Sequence, residues 1–253
     1  RRLNRAPTEE ERCRSGAANL CFALGIRYQH GLQAKKDPAR AHELFVLGCD
    51  AGHGESCASA GSLGLSLHRD AAQAVQRLKQ ACELGIARGC YRLAQLLLAG
   101  ESIQKDERRA LELFDRACAE HRVPEQRYPE ACRELALLYL TGRSVPEDGQ
   151  RASVLLEAAC SSKPALALAC TDLGLRYLFG RSVTGDPRKA RAYFEIACDR
   201  HDGAGCFELG RLFLEGVGAP RDDARAHQLF ERACEEKDPR GCQQLRTSDA
   251  ADE

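Results

Sequence analysis

Residues 170–198 read CTDLGLRYLFGRSVTGDPRKARAYFEIAC, and this stretch predicts the fold of most of the chain. Counted from Cys170, Leu stands at position +3, Gly at +4, Tyr at +7 and Gly at +10, followed by Asp at +16, Ala at +20, Phe at +24 and Cys at +28. Spacings of three, four and seven residues place side chains on one face of an α-helix. The stretch therefore predicts two short amphipathic helices, A and B, with a turn between them.

The same pattern recurs along the chain in six units. Five units follow it without a gap, whereas the second is three residues shorter and lacks the Tyr and part of the turn. A period near 36 residues is typical of solenoids built from helical hairpins. In such proteins each hairpin buries its remaining apolar face against its neighbours. The units begin at Cys21, Cys57, Cys90, Cys132, Cys170 and Cys206.

The remaining conserved offsets fit the ends and the contact faces of the two helices. Gly at +10 suits the left-handed residue that follows a helix, and Asp at +16 suits the residue that caps the next one. Small residues at +4 and +20 let helices A and B approach closely. We expect a flexible polar segment at residues 1–12, a single solenoid domain of about six repeats with partial end units at 13–245, and a polar disordered tail at 246–253.

The 14 Cys residues form seven regularly spaced pairs, which favours disulfides over zinc because the chain has no Cys-x-x-Cys. Two pairing schemes are open. Bridges within each hairpin, such as Cys21 with Cys49, would leave Cys13 and Cys242 unpaired. Bridges across the turn from helix B to the next helix A use every Cys, and we prefer them. The preferred pairs are Cys13–Cys21, Cys49–Cys57, Cys82–Cys90, Cys118–Cys132, Cys160–Cys170, Cys198–Cys206 and Cys234–Cys242.

Composition and charge exclude several classes of protein. Lys plus Arg and Asp plus Glu both number 37, so no net charge attracts nucleic acid. No apolar run reaches the roughly 18 residues of a membrane span. We find no pattern typical of a metal site or of a cofactor. There is no Met, even at residue 1, from which we expect that a leader was removed or the chain trimmed.

Leu-Gly-x-x-Tyr-x-x-Gly followed by Asp, Ala and Phe-x-x-x-Cys resembles the Sel1-like repeat, a relative of the tetratricopeptide repeat. The cysteine-bridged form is similar to the Helicobacter cysteine-rich proteins, and the similarity extends over residues 13 to about 245. The resemblance implies an all-α fold, a right-handed α/α solenoid of tetratricopeptide-like hairpins cross-linked by disulfides, and it implies the preferred pairing. Unit two and the Ala residues at positions 94 and 136, where Gly is usual, depart from the pattern.

In tetratricopeptide-like solenoids the A helices line a concave groove that binds a protein or peptide. If that register transfers, offsets +1, +5 and +9 face the groove and supply aromatic and Arg anchors. The alternative is that the aromatic residues at +1 pack against the next repeat, and both interpretations stay open. The candidate partner-binding residues are Phe22, Ile26, His30, Tyr91, Gln95, Arg133, Leu137, Thr171, Leu175, Phe207 and Arg211. Ala99, Thr141, Phe179 and Glu215 occupy +9 in further units.

One catalytic motif is present: Ser102-Ile-Gln-Lys105 matches Ser-x-x-Lys, the nucleophile signature of penicillin-recognising enzymes. The resemblance makes this motif relevant, because members of the resembling family have been discussed as penicillin-binding or beta-lactamase-like. However, the Ser-Asp-Asn and Lys-Thr-Gly elements that such enzymes require are missing from the chain.

Two functions remain open. We favour a non-catalytic, monomeric scaffold that binds a protein or peptide in the concave groove. The alternative is a beta-lactamase-like or penicillin- or peptidoglycan-binding cell-wall protein. Disulfides predict an oxidising compartment, so we expect a periplasmic or secreted location, with the mitochondrial intermembrane space as a second possibility.

Overall fold

A computed structural model describes residues 7–119, 128–162 and 166–249. These residues form helices and no strands, so the all-α prediction is confirmed. The helices are α1 (Glu9–Arg14), α2 (Ala18–His30), α3 (Pro38–Asp50), α4 (Gly54–Ser66), α5 (Ala71–Glu83), α6 (Ala87–Ala99), α7 (Glu107–Cys118), α8 (Pro129–Thr141), α9 (Gly149–Cys160), α10 (Ala167–Phe179), α11 (Pro187–Asp199), α12 (Gly203–Glu215), α13 (Asp223–Glu235) and α14 (Pro239–Asp249).

The chain forms two compact units, Arg1–Tyr128 and Pro129–Glu253, where the sequence predicts one solenoid domain. Within each unit every helix packs against the next helix in chain order. From α2 onward, even-numbered helices are the A helices and odd-numbered helices are the B helices. Each unit is therefore a stack of helical hairpins.

The terminal boundaries expected at residues 13 and 245 fall inside helices. Thr8 caps α1 and forms a reciprocal capping box with Glu11, which explains why the helix begins at Glu9. At the other end α14 continues to Asp249. The capping pair is visible in the sequence, but it lies outside the repeat pattern that set the predicted boundary.

The turn residues take the conformations that the sequence predicts. The Gly residues after five A helices have φ between 62° and 73°, the left-handed region that other residues rarely adopt. Asp side chains accept hydrogen bonds from backbone N–H groups in the first turn of the following B helix. The Gly positions are 31, 100, 142, 180 and 216, and the caps are Asp37, Asp70, Asp106, Asp148, Asp186 and Asp222.

In several hairpins the core depends on a small residue in helix A that faces a ring in helix B, whereas Gly61 faces Leu78 in unit two. Phe194 is fully buried against Gly174, and a methyl group at Gly174 would lie 2.6 Å from its Cε1. Gly210 faces Phe230 in the same way, with a corresponding distance of 2.8 Å. The two helices can therefore approach closely around a large buried ring only because the facing residue is small.

Within each unit, disulfides join the end of one helix to the start of the A helix that follows it. Their Cα atoms lie 4.5 to 4.9 Å apart. Cys118 and Cys132 are also disulfide-bonded, and no described Cys has a free thiol. Such a framework indicates an oxidising compartment. The bridges are Cys13–Cys21, Cys49–Cys57, Cys82–Cys90, Cys160–Cys170, Cys198–Cys206 and Cys234–Cys242.

Candidate functional site

The two Phe residues at offset +1 are half-buried and contact both their own B helix and the next hairpin. The ring centroid of Phe22 lies 5.8 Å from that of Phe45 and 5.0 Å from that of His53. Phe207 lies 5.6 Å from Phe230, and the guanidinium of Arg240 lies 4.4 Å above its ring. Their rings therefore contribute to packing between hairpins, which is the alternative left open above.

Tyr91, the third aromatic at +1, packs on its own B helix and on Tyr128. Its ring centroid lies 5.8 Å from that of Phe114 and 4.8 Å from that of Tyr128. Its hydroxyl accepts a hydrogen bond from Nε2 of Gln95, at 2.8 Å. Tyr91 thus fixes the orientation of Gln95, a candidate at offset +5 on the same helix.

The other two candidates at +1 make polar contacts with the next A helix. Arg133 on α8 donates from Nε to Oδ2 of Asp172 on α10, at 2.7 Å. Thr171 is buried and donates from its hydroxyl to Asp202, the residue before α12. Burial raises the pKa of Asp172, and the Arg133 charge and hydrogen bond oppose that rise. Offset +1 thus links successive hairpins.

The remaining candidates lie nearer the surface. Ile26 and Leu175 are partly buried against the cores of their units, and Leu137 is also partly buried. His30 is exposed at the end of α2. Arg211 forms ion pairs along α12 with Glu208, at 3.2 Å, and with Glu215, at 3.1 Å.

A groove between α4 and α6 brings together offsets +5 and +9 of two successive A helices. Its volume is about 390 Å³, and we call it the α4–α6 groove. Gln95 and Ala99 line it from α6, and Ser62 and Ser66 line it from α4. None of the candidate binding residues predicted from the sequence lies on α4, because this helix belongs to the shortened unit two. The same offsets counted from Cys57 would have found both Ser residues.

Ser62 gives the groove an unsatisfied polar atom. Its Oγ is buried and has no hydrogen-bond partner among the described residues. The neighbouring lining residues are mixed in character, with Leu65 and Leu96 beside Arg92 and Glu101. The groove can hold an apolar side chain of a bound peptide while the backbone of that peptide makes a hydrogen bond to the groove.

A larger depression of about 620 Å³ lies beside α9, α11 and the turn before α11. The Tyr177 ring at its edge contacts two residues of α11. The ring of Tyr193 stacks on it at 5.5 Å, and Nζ of Lys189 lies 5.2 Å from its centroid. No predicted site residue lines this depression.

Ser102 lies in the turn between α6 and α7, and not at the start of a helix as the nucleophile of the Ser-x-x-Lys motif would. Its φ is 63°, and Ser144 and Ser182 have φ values of 67° and 59° at the same offset of later units. Lys105 Nζ pairs with Glu107 Oε1 at 2.6 Å. The Ser therefore occupies a repeated left-handed turn position, and the Lys charge pairs with a carboxylate.

Two other features, a metal site and a membrane-spanning helix, are absent from the part of the chain that the structure describes. Residues 7–119, 128–162 and 166–249 contain no cluster of His, Cys, Asp or Glu that could hold a metal ion. Within the same ranges no helix combines the length and the apolar character that crossing a membrane requires.

The Sel1 repeat model matches this sequence five times, at residues 18–53, 87–121, 129–163, 167–202 and 203–238. The chain belongs to the Sel1 repeat family. The predicted resemblance is therefore confirmed, and Sel1 repeats generally build protein-interaction scaffolds. The matches omit residues 54–86, the shortened unit two, where the Tyr and part of the turn are missing.

Two solved structures share the fold of this Sel1 repeat chain over 94% of its length. One is a protective antigen of uropathogenic Escherichia coli with an SLR fold, 21% identical with a TM-score of 0.80. The other is a Sel1 repeat protein from Oxalobacter formigenes, 24% identical with a TM-score of 0.81. The chain covers 50% of the first protein and 68% of the second. These likenesses show the α/α solenoid fold.

A third structure is the Helicobacter pylori cysteine rich protein B. It is 29% identical over 58% of this chain and 99% of its own length, with a TM-score of 0.43. No curated protein matches the sequence.

Proposed function

We propose that this Sel1 repeat chain is a non-catalytic extracytoplasmic scaffold that binds an extended segment of a protein partner on its A-helix face. It acts as a monomer, and its location is periplasmic or secreted. Membership of a family that generally builds interaction scaffolds supports the binding role. The disulfide framework supports the location, because such bridges persist in oxidising compartments.

The α4–α6 groove is the observation that carries the proposal. Residues at offsets +5 and +9 of two successive A helices line this groove. These are among the offsets at which the sequence predicts contact with a partner. The small side chains of Ser66 and Ala99 leave the groove open. Ser62 Oγ has no hydrogen-bond partner in the described part of the chain, and rotation about χ1 would turn it toward a bound segment. A buried polar atom without a partner costs free energy, and a bound peptide backbone would recover it.

The proposal is tested by selecting peptides from a displayed library on the intact, oxidised protein. The selected peptides are then titrated against Ala99→Trp, which fills the groove, and against Glu112→Trp on the exposed face of α7 as the matched control. We expect Ala99→Trp to weaken binding by about tenfold or more and Glu112→Trp to leave it unchanged. Equal affinity for both variants would show that the peptides bind elsewhere.

Substitutions at the aromatic +1 positions are poor probes of binding. The Tyr91 ring packs on Tyr128 and the Phe207 ring on Arg240, so Tyr91→Ala and Phe207→Ala should lower stability whether or not a partner is bound. Substitutions in the groove separate a loss of binding from a loss of stability, because Ala99 is exposed.

A further inference from the structure

Unit two departs from the repeat in a way that opens a pocket. Its offset +7 is Gly64, and its turn between helices A and B is three residues shorter than in the other units. A methyl group at Gly64 would lie 3.0 Å from Nε2 of His42 and 3.6 Å from Cβ of Ala74. A larger side chain would therefore fill this space. The other units have Tyr28, Leu97, Tyr139, Tyr177 and Phe213 at this offset.

The pocket lies where α3, α4 and α5 meet and has a volume of about 330 Å³. Val46, Ala60 and Ala74 form an apolar part of its lining. Arg69 and Gln73 line it at the start of α5. Ala60 and Gly64 lie on a different face of α4 from Ser62 and Ser66, so this pocket is separate from the α4–α6 groove.

The pocket lining holds three basic side chains, those of His42, Arg69 and Arg77, and one acidic side chain, that of Asp70. Among the described residues, neither the ring of half-buried His42 nor the guanidinium of Arg69 has a hydrogen bond or an ion pair. The one lining acid, Asp70, caps α5 by accepting hydrogen bonds from the backbone N–H groups of Ala72 and Gln73.

Neighbouring acids are engaged elsewhere. Arg77 also lines the pocket, and its Nη1 pairs with Asp50 Oδ1 at 2.5 Å. Glu43 pairs with Arg40 at 2.7 Å. Burial lowers the pKa of His42, the charges of Arg69 and Arg77 lower it further, and Glu43 alone opposes this. Among the described residues, Arg69 is thus the Arg of the lining that has no ion-pair partner, and the Asp70 carboxylate beside it caps α5.

We infer that this pocket binds a small carboxylate that carries a short aliphatic side chain. The planar guanidinium of Arg69 suits a carboxylate group, with the Gln73 amide and the His42 ring as further donors. The aliphatic part packs on Val46, Ala60 and Ala74, which a phosphate would leave empty. Such a carboxylate belongs either to the end of a polypeptide chain or to a free short-chain acid.

The test follows the Cε1–Hε1 resonance of His42 by NMR in the full oxidised chain, with the resonance assigned through His42→Gln. Three probes are titrated: N-acetylvaline as a chain end, butyrate as a free acid, and N-acetylvalinamide as the neutral counterpart. Arg69→Gln removes the guanidinium from an exposed position that holds no contact of the fold. Arg188→Gln, at an exposed position at the start of α11, is the matched control, and circular dichroism checks that both variants are folded.

We expect saturable shifts with a carboxylate probe and none with the amide. Arg69→Gln should raise the dissociation constant about tenfold, and Arg188→Gln should leave it unchanged. Tighter binding of N-acetylvaline than of butyrate would indicate a chain end, and the reverse a free acid. Equal shifts with the amide, an unchanged constant in Arg69→Gln, or displacement by inorganic phosphate at lower concentration than butyrate would each overturn the inference.

Discussion

Arg133 and Asp172 connect two successive A helices through a hydrogen bond of 2.7 Å between Nε and Oδ2. Both side chains are about three quarters buried. We expect Arg133→Ala to lower the free energy of unfolding by about 1 to 3 kcal/mol, because it leaves the Asp172 carboxylate without its donor. Urea denaturation measures the change.

Asp172→Asn provides the control for this pair. In the Arg133→Ala background it removes the unbalanced charge and should recover part of the lost stability, so the two changes are not additive. Additive effects in the double variant would show that the pair makes no energetic connection between the hairpins.

Gly174 and Phe194 set the distance between α10 and α11. Gly174→Ala places a methyl group 2.6 Å from Phe194 Cε1, and we expect it to lower the free energy of unfolding by about 1 to 3 kcal/mol. Gly185→Ala is the control, because its nearest neighbour would lie at 3.6 Å. If Gly174→Ala were as stable as the control, the helices would be able to separate without cost.

The bridge between Cys198 and Cys206 closes a short loop. Replacing both residues by Ala should lower the free energy of unfolding by roughly 2 to 3 kcal/mol, because the unfolded chain regains entropy. Urea denaturation of the double variant measures this cost. Thiol counting in denaturant should find no free thiol in the unaltered protein, and recovery of folded protein with reduced Cys would contradict the proposed extracytoplasmic location.

Asp238 makes the stability of the C-terminal hairpin depend on pH in the acid range. Its pKa is lowered by two hydrogen bonds from the Arg240 guanidinium and, in addition, by hydrogen bonds from backbone N–H groups. A lowered pKa stabilises the fold above the ordinary aspartate value of about 3.9, and that stabilisation is lost as the pH falls through the folded value.

Asp238→Asn keeps a capping oxygen but removes the charge. It should therefore be less stable than the unaltered protein near neutral pH, by about 1 to 2 kcal/mol, and the difference should vanish in strong acid. Thermal unfolding midpoints at the two pH values measure this. A difference independent of pH would assign the loss to packing.

Ser102 should contribute nothing to chemistry. We expect neither the protein nor Ser102→Ala to turn over a chromogenic cephalosporin, because Ser102 lies in a turn and Lys105 pairs with Glu107. Turnover that Ser102→Ala abolished would overturn the non-catalytic proposal. Ser102→Gly should keep or raise stability, since Gly adopts a positive φ without strain.

Much of the fold could be predicted from local rules. Gly at +10 and Asp at +16 act within a few residues of their own position, so the ends of the hairpins follow from the sequence. The candidate binding positions were harder to predict. Offsets +1 and +5 lie on the same helix, yet Tyr91 at +1 packs on Tyr128 while Gln95 at +5 lines the groove.

The sequence by itself determined the hairpin repeat, the helix caps and the spacing of Cys, because each depends on periodicity and on contacts between nearby residues. Only the tertiary structure decided that the aromatic rings at +1 pack between hairpins and that Gly64 leaves a basic pocket beside His42. Both depend on side chains from three helices, and their relative positions follow from packing that no single repeat encodes.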